Sequence, residues 1–224
     1  MADHPGLYSK LVTLPLFIGM SRDELHQIVS VTKFEFRKFS SGEVIAHEGD
    51  LCGRLMLLVD GNMEIATPAD DHGYTVHEWS SAPMVLQPEC AFGLTQRFTR
   101  NFLAKSPCNL IYIDKKETLA LTDSSLIFRL NLLNLISTAL QKRQRDVWHS
   151  VPHDLHQRIC RFFASHCLYP AGHKVYRIKM VRLAAELNAN RLHVSRALNA
   201  MQEARLLTLR RGIIDVPSLE ELLR

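Results

Sequence analysis

No stretch of this 224-residue chain approaches the roughly 18 consecutive apolar residues that a membrane-spanning helix needs. The longest notable run, Leu55-Met-Leu-Leu-Val59, has the length of a strand. No Cys-x-x-Cys pair occurs. The five cysteines (Cys52, Cys90, Cys108, Cys160, Cys167) are scattered and odd in number, as expected of free thiols in a reducing cytoplasm rather than of a disulfide framework. The opening Met-Ala-Asp-His-Pro-Gly has neither the basic nor the apolar segment of a signal peptide, so secretion is not expected. Eleven histidines form no His-x-His or His-Glu-x-x-His spacing, and there is no Walker loop, Gly-x-Gly-x-x-Gly or Ser-His-Asp motif. A cupin-like metal enzyme would need His and Glu clustered on facing strands. These absences point away from an enzyme, a metal site and a membrane partner, and no cofactor is required by any motif.

Charge is plentiful but uneven. Residues 1–150 carry 15 Lys+Arg against 17 Asp+Glu, and residues 151–224 carry 12 against 6, so a net −2 stands beside a net +6. A basic C-terminal third suits nucleic-acid binding, although a solvated basic face would give the same count. The motif in that third decides between them. In Leu183-Ala-Ala-Glu-Leu-Asn-Ala-Asn-Arg-Leu-His-Val-Ser-Arg-Ala-Leu198, Leu183, Leu187, Val194 and Leu198 share one apolar core. Ala184 permits a close helix crossing, Asn188 suits a left-handed turn, and Asn190 suits an N-cap. The second helix then projects Arg191, His193, Ser195 and Arg196. This is a helix-turn-helix, whose second helix lies in a DNA major groove.

The remaining pattern predicts an α+β chain. Residues 6–30 read as helical pieces, with Ser21 and Glu24 forming a capping box. Short strand-like runs follow at Phe34–Phe39, Glu43–His47, Arg54–Val59, Met63–Ala66, Tyr74–Trp79 and Asn109–Ile113, divided by turns such as Asp60-Gly61-Asn62 and Asp70-Asp-His-Gly73. Such spacing indicates a β-roll, jelly-roll-like in form. A long helix capped by Asp123 or Ser124 comes next. Its heptad seam has Leu126, Leu133, Leu140 and Val147 in one column and Leu130, Ser137 and Gln144 in the other, which predicts a parallel homodimer. Polar residues Asn131, Asn134, Lys142, Arg143, Arg145 and Asp146 leave little other apolar surface on it. Ser150–Asp154, broken by Pro152, reads as a hinge. A further amphipathic helix uses Leu155, Ile159, Phe162 and Phe163. Leu206–Val216 reads as a hairpin with Arg210, Arg211 and Gly212 at its tip, and Ser218 caps a last short helix. The expected domains are a β-roll sensor over 1–122, a dimerisation helix and hinge over 123–150, and a winged helix-turn-helix over 151–224.

In this order the elements resemble the Crp/Fnr family of transcription regulators. The resemblance is carried by Leu183-Ala-x-x-Leu187, Arg191-x-x-Val194-Ser-Arg196-x-Leu198, Leu206-Leu207 and the wing. Phe39-x-x-Gly42-Glu43-x-Ile45-x-x-x-Gly49-Asp50 and Leu57-x-Val59-x-Gly61 add the opening strands of a cyclic-nucleotide-binding-type roll. It implies a homodimer on an inverted-repeat operator of double-stranded DNA, contact with RNA polymerase, and an effector seated between the roll and residues 126–144. Cyclic-nucleotide binders of the family carry a Gly-Glu pair and, about ten residues later, Arg-Ser/Thr. Here the nearest residues are Pro88-Glu89-Cys90-Ala91 and Arg100-Asn101, one residue too far apart. Pro88 removes a backbone donor and Asn101 replaces the hydroxyl. The ligand candidates are therefore Glu89, Cys90, Ala91, Arg100 and Asn101, with Gln141 of the long helix, but cAMP is not the expected ligand. An iron–sulfur cluster of the family's oxygen-sensing branch would need about four thiolates, and residues 1–50 contain none. Haem, used by some relatives, is not expected from His47, His72, His77, His149, His153 and His156, although the last three flank the hinge.

For DNA reading, the resemblance makes Arg191 and Arg196 the candidates for guanine, with Ser195 and His193 reaching a base edge or phosphate. Leu192 stands where many relatives have a Glu that reads cytosine; it suits a thymine methyl instead. Arg205, Arg210 and Arg211 are phosphate candidates, with a salt bridge to Glu203 or a neighbour as the alternative for Arg205. Two other readings stay open at this stage: a regulator acting through protein contacts with a vestigial helix-turn-helix, and a DNA-binding regulator that needs no ligand and is controlled by its abundance.

Overall fold

The computed structural model describes residues 5–148 and 152–224, without the side chains of residues 5–7, 143 and 145–148. The chain forms two compact units that are not contiguous in sequence: Met1–Met63 with Ser80–Lys142, and Glu64–Trp79 with Arg143–Arg224.

The first unit opens with α1 (Pro5–Leu11) and α2 (Arg22–Val31). The expected capping box is present on α2: the Glu24 amide donates to Ser21 Oγ at 3.3 Å, and the Ser21 amide donates to Glu24 Oε2 at 2.8 Å. Strands β1 (Phe34–Phe39), β2 (Val44–Ala46) and β3 (Arg54–Asp60) follow, near their expected positions. β3 is buried on both faces between β8 (Cys108–Asp114) and β6 (Met84–Leu86), which is why it reads as a continuous apolar run rather than an alternating one. The antiparallel sheet has the order β1-β8-β3-β6, and β2 pairs with β7 (Asn101–Ala104). At the turn after β3, Gly61 has φ +102°, and a Cβ there would collide with the Pro107 carbonyl oxygen, so this turn admits glycine alone. Strands β6 and β7 carry too few residues to stand out in the sequence.

The capping expected from Asp123 or Ser124 is not what forms. Both lie in the last turn of an additional helix, α3 (Lys115–Ser124), buried through Thr118 and Leu121. The long helix α4 (Leu126–Trp148) starts after an extended residue, Ser125, whose Oγ accepts from the Phe128 amide at 3.3 Å. The two helices bend by 118°, and among the described residues no single helix is long and apolar enough to cross a membrane. α4 also has more apolar surface than its polar residues suggested. Phe128 (0% exposed) and Leu132 (5%) turn into the core, with the Phe128 ring 5.5 Å from that of Phe17. Asn131 is not a solvent residue: its Nδ2 donates to the Leu16 and Ile18 carbonyls at 3.2 and 2.9 Å.

The second unit combines a hairpin, β4 (Asn62–Pro68) and β5 (Tyr74–Ser81), with the C-terminal third: α5 (Leu155–Ser165), β9 (Lys174–Ile178), α6 (Met180–Glu186), α7 (Arg191–Glu203), β10 (Thr208–Arg210), β11 (Ile213–Val216) and α8 (Leu219–Leu222). Asp154 caps α5, accepting from the Gln157 amide at 3.0 Å. Of the other residues expected to form a hinge, Ser150 and Val151 lie outside the described residues. Ser218 occupies the cap position of α8, but its side chain makes no cap hydrogen bond, which corrects the expectation for it. β9 was not anticipated. It pairs antiparallel with β11 on one side and with β5 on the other, Tyr74 opposite Ile178 and Glu78 opposite Lys174. The core of this unit, Ile159, Phe162, Phe163, Leu183, Leu187, Val194, Leu198 and Ile214, therefore includes Val76 from the hairpin.

Candidate nucleic-acid interface

The turn between α6 and α7 has the conformation its residues favour. Asn188 adopts φ +45°, and the Ala189 amide donates to the Ala184 carbonyl at 2.9 Å. Arg158 of α5 clamps this turn, its guanidinium donating to the Leu187 and Asn188 carbonyls at 3.0 and 3.4 Å. Sequence spacing alone did not single out Arg158, because its partners are backbone atoms. Asn190 is the N-cap of α7, its Oδ1 accepting from the Leu192 amide at 2.8 Å. Val194, Leu198 and Met201 then face the core, which leaves Arg191, Leu192, His193 and Arg196 exposed and Ser195 half-buried.

At the end of α7, Arg205 adopts φ +60° and is exposed; among the described residues it forms no ion pair with Glu203, so that alternative is not realised. Gln202 Oε1 accepts from the Leu209 amide at 2.6 Å and ties α7 to the wing. β10 and β11 pair with Arg210 opposite Ile213, leaving Arg211 and Gly212 at the tip, where Gly212 has φ +73°. Arg191, Arg196, Arg205, Arg210 and Arg211 are all exposed, and among the described residues none of them is in an ion pair. Unpaired guanidinium groups on a reading helix and a wing form a surface suited to a polyanion.

Arg182 of α6 is held differently. It bonds Asp71 Oδ2 at 2.8 Å and Glu186 Oε1 at 2.7 Å, and lies 5.8 Å from the centre of the Tyr74 ring. The Gly73 amide, and after it Arg182, holds the Asp71 carboxyl below its ordinary range, while burial pushes the Tyr74 hydroxyl up to about 12. Deeper in the unit, Glu78 and Lys174, both at most 3% exposed, lie 3.5 Å apart. Beside them Trp79 stacks on His173, ring centres 4.3 Å apart, and His173 Nε2 bonds Asp215 at 2.8 Å. The alternation of Lys174-Val-Tyr-Arg-Ile178 after Gly172 was a usable signal for β9, but nothing local in the sequence reveals its partner strand.

The ligand candidates are only partly brought together. Pro88, Glu89 and Cys90 form a single 3₁₀ turn after Gln87, a buried residue at φ +38°. Arg100 and Glu89 approach each other, Nη1 to Oε1 3.7 Å. Gln87 bridges to Thr99, donating to its hydroxyl at 2.8 Å and accepting from its amide at 3.1 Å. Asn101 turns elsewhere, its Oδ1 accepting from the Glu48 amide at 3.0 Å, and Ala91 is buried while Gln141 is exposed on α4. Burial first, then the nearby Cys90 and Glu89, pushes the Cys52 thiol up to about 12. All five cysteines are free, and among the described residues no group of three or more His, Cys, Asp or Glu is arranged to hold a metal ion. A shallow groove of about 550 Å³ lies between β1 and β2, lined by Phe36, Arg37, Lys38, Phe39, Glu43 and Val44, none of them a ligand candidate.

Residues 157–224 match the Crp-like helix-turn-helix domain. No curated protein matches the chain by sequence. Among solved structures, the catabolite activator protein of Thermus thermophilus is 20% identical, with 93% of this chain and 98% of that one covered at a TM-score of 0.50. CprK complexed with OCPA is 15% identical, with 89% and 93% covered at 0.51. The sensor domain of the transcriptional regulator DNR from Pseudomonas aeruginosa is 17% identical, with 64% and 95% covered at 0.52. Residues 157–224 therefore carry a Crp-like helix-turn-helix domain that keeps its turn, its cap and its exposed arginines, in a chain that shares the fold of these solved structures.

Proposed function

We propose that the protein binds double-stranded DNA as a homodimer, on an inverted repeat whose half-sites lie about one helical turn apart. The observation that carries this reading is the set of unpaired, exposed guanidinium groups on α7 and the wing. Arg191 and Arg196 read guanine edges, and Ser195 and His193 contact a base edge or phosphate. Leu192 packs on a thymine methyl, and Arg205, Arg210 and Arg211 hold phosphate. Leu192 predicts an operator without the C·G pair that a glutamate would read there.

Dimerisation is supported by α4. Leu126, Leu130, Leu133 and Leu140 are 59, 49, 53 and 55% exposed in the single chain, and Ser137 and Gln144 continue their seam. A leucine stripe at heptad spacing is stabilised by a second copy of the same helix. The side chain of Val147 lies outside the described residues. Regulation of transcription implies contact with RNA polymerase. The roll acts as the effector domain, but cAMP is not its ligand: Pro88 denies the phosphate a backbone donor, and Arg100 faces Glu89.

The test is selection of bound duplexes from a random DNA pool with purified protein and no added ligand. The expected product is an inverted repeat, lost in the Arg191→Ala/Arg196→Ala variant. A folded dimer that enriches nothing, with or without cyclic nucleotides or haem, would favour a regulator acting through protein contacts.

A further inference from the structure

The strand registers place the hairpin tip and the wing tip at the same end of one sheet. Tyr74, the first residue of β5, lies opposite Ile178, the last residue of β9. The neighbouring residue of β9, Arg177, lies opposite Ile213, the first residue of β11, which pairs with Arg210 at the wing turn. The acidic Asp70-Asp71-His72-Gly73 turn therefore stands at the sheet end where the wing presents Arg210 and Arg211. The tip also reaches α6, the helix-turn-helix element that crosses the DNA backbone. Asp71 Oδ2 lies 2.8 Å from Arg182 Nη1. The packing is close, since a Cβ on Gly73 would lie 3.0 Å from Asp71 Oδ1 and 3.4 Å from the Arg182 guanidinium. The Arg182 Nε is buried without a hydrogen-bond partner, so this guanidinium has donor capacity that Asp71 and Glu186 leave unused.

We propose that the hairpin tip is an acidic brake on DNA binding: Asp71 occupies Arg182, a phosphate-binding residue held in reserve, and its release adds one phosphate contact. This rests on the DNA-binding reading above. Arg191, Arg196, Arg210 and Arg211 are free to meet DNA, whereas Arg182 must first leave a carboxylate. An exposed ion pair is weak enough to be exchanged for a phosphate. A signal that moves the hairpin therefore alters affinity through charge as well as through orientation.

The experiment is equilibrium binding of the full-length protein to a selected duplex over a range of salt concentrations. Asp71→Asn keeps an oxygen for the Gly73 amide, which donates to Asp71 Oδ1 at 3.0 Å, but loses the charge that holds Arg182. It is expected to bind roughly three- to tenfold tighter at low salt, with the slope of log K against log salt steeper by about one. Asp70→Asn, matched in charge, should gain less and leave the slope unchanged. Arg182→Ala in the Asp71→Asn background should abolish the gain. The brake is overturned if Asp71→Asn binds no tighter than wild type, gains no more than Asp70→Asn, or keeps its gain without Arg182. If neither wild type nor any variant binds a duplex, the DNA-binding reading itself fails and the brake falls with it.

Discussion

Replacing Glu78 with leucine should destabilise the C-terminal unit although position 78 lies in the N-terminal half of the sequence. The Glu78 carboxylate is buried, accepts from the Leu168 amide at 2.8 and 2.9 Å, and lies 3.5 Å from Lys174 Nζ. Lys174 donates in turn to the Ala171 and His173 carbonyls at 2.6 and 3.4 Å. Glu78→Leu leaves a buried ammonium with carbonyl partners only and removes the carboxylate to which the Leu168 amide donates. Breaking one partner of a buried pair costs about 3–5 kcal/mol. For a unit of about 100 residues, 3 kcal/mol lowers the melting midpoint by roughly 12–24 °C. Glu78→Leu/Lys174→Leu removes both charges and should recover about half of the loss. The assay is denaturant unfolding followed by tryptophan fluorescence, since Trp79 stacks on His173 at this site, with amide exchange in α5–α7 to assign the transition. A loss under ~1 kcal/mol, a double variant no better than the single one, or unchanged exchange in α5–α7 would refute the reasoning.

Two further outcomes follow. Leu133→Lys/Leu140→Lys places charges on the exposed leucine stripe of α4; sedimentation should show half the wild-type mass with an unchanged melting profile of the C-terminal unit, and persistence of the dimer would move the interface elsewhere. With its thiol raised to about 12 by burial, Cys52 should be about one part in ten thousand thiolate at pH 8, so iodoacetamide should leave it unmodified until the protein is unfolded; rapid native labelling at this position would reopen a redox role.

What the sequence made legible and what it concealed divide by range. The helix-turn-helix was legible because its determinants are local: a left-handed Asn188, a cap at Asn190, and leucines at helical spacing. β3 was legible because an apolar run between turns has few other uses, and β1 because its phenylalanines recur among charged residues between turns. The start of α4 was misplaced because Asp123 and Ser124 are good caps in the abstract, whereas the chain uses Ser125 after finishing α3. The second apolar face of α4 was missed because Phe128 and Leu132 are interleaved with polar residues, and Asn131 is polar for a reason invisible to spacing, its two carbonyl partners more than a hundred positions away. The ligand candidates were grouped by a motif that the structure keeps only in part, since Glu89 and Arg100 meet while Asn101 turns to the Glu48 amide.

The pairing of β5 with β9 belongs to the concealed class, and it bears on how a regulator of the proposed kind would transmit a signal. A single hinge after α4 would make α4 the only covalent route between the two units. The chain instead crosses between them three times, at residues 63–64, 79–80 and 142–143. Two of those crossings are the strands of one hairpin, held in the C-terminal unit by Val76 in its core and by the Glu78–Lys174 pair. A ligand acts only through its different affinity for two states. A pair of states that differ in whether β5 lies on β9 would meet that condition. Pulling the strands away would expose the edge of β9 and strand a buried charge, so intermediate positions are costly and the coupling favours two discrete states over a continuum. The Asp71–Arg182 contact lies at the end of the same element, where a change in pairing becomes a change in the charge offered to DNA.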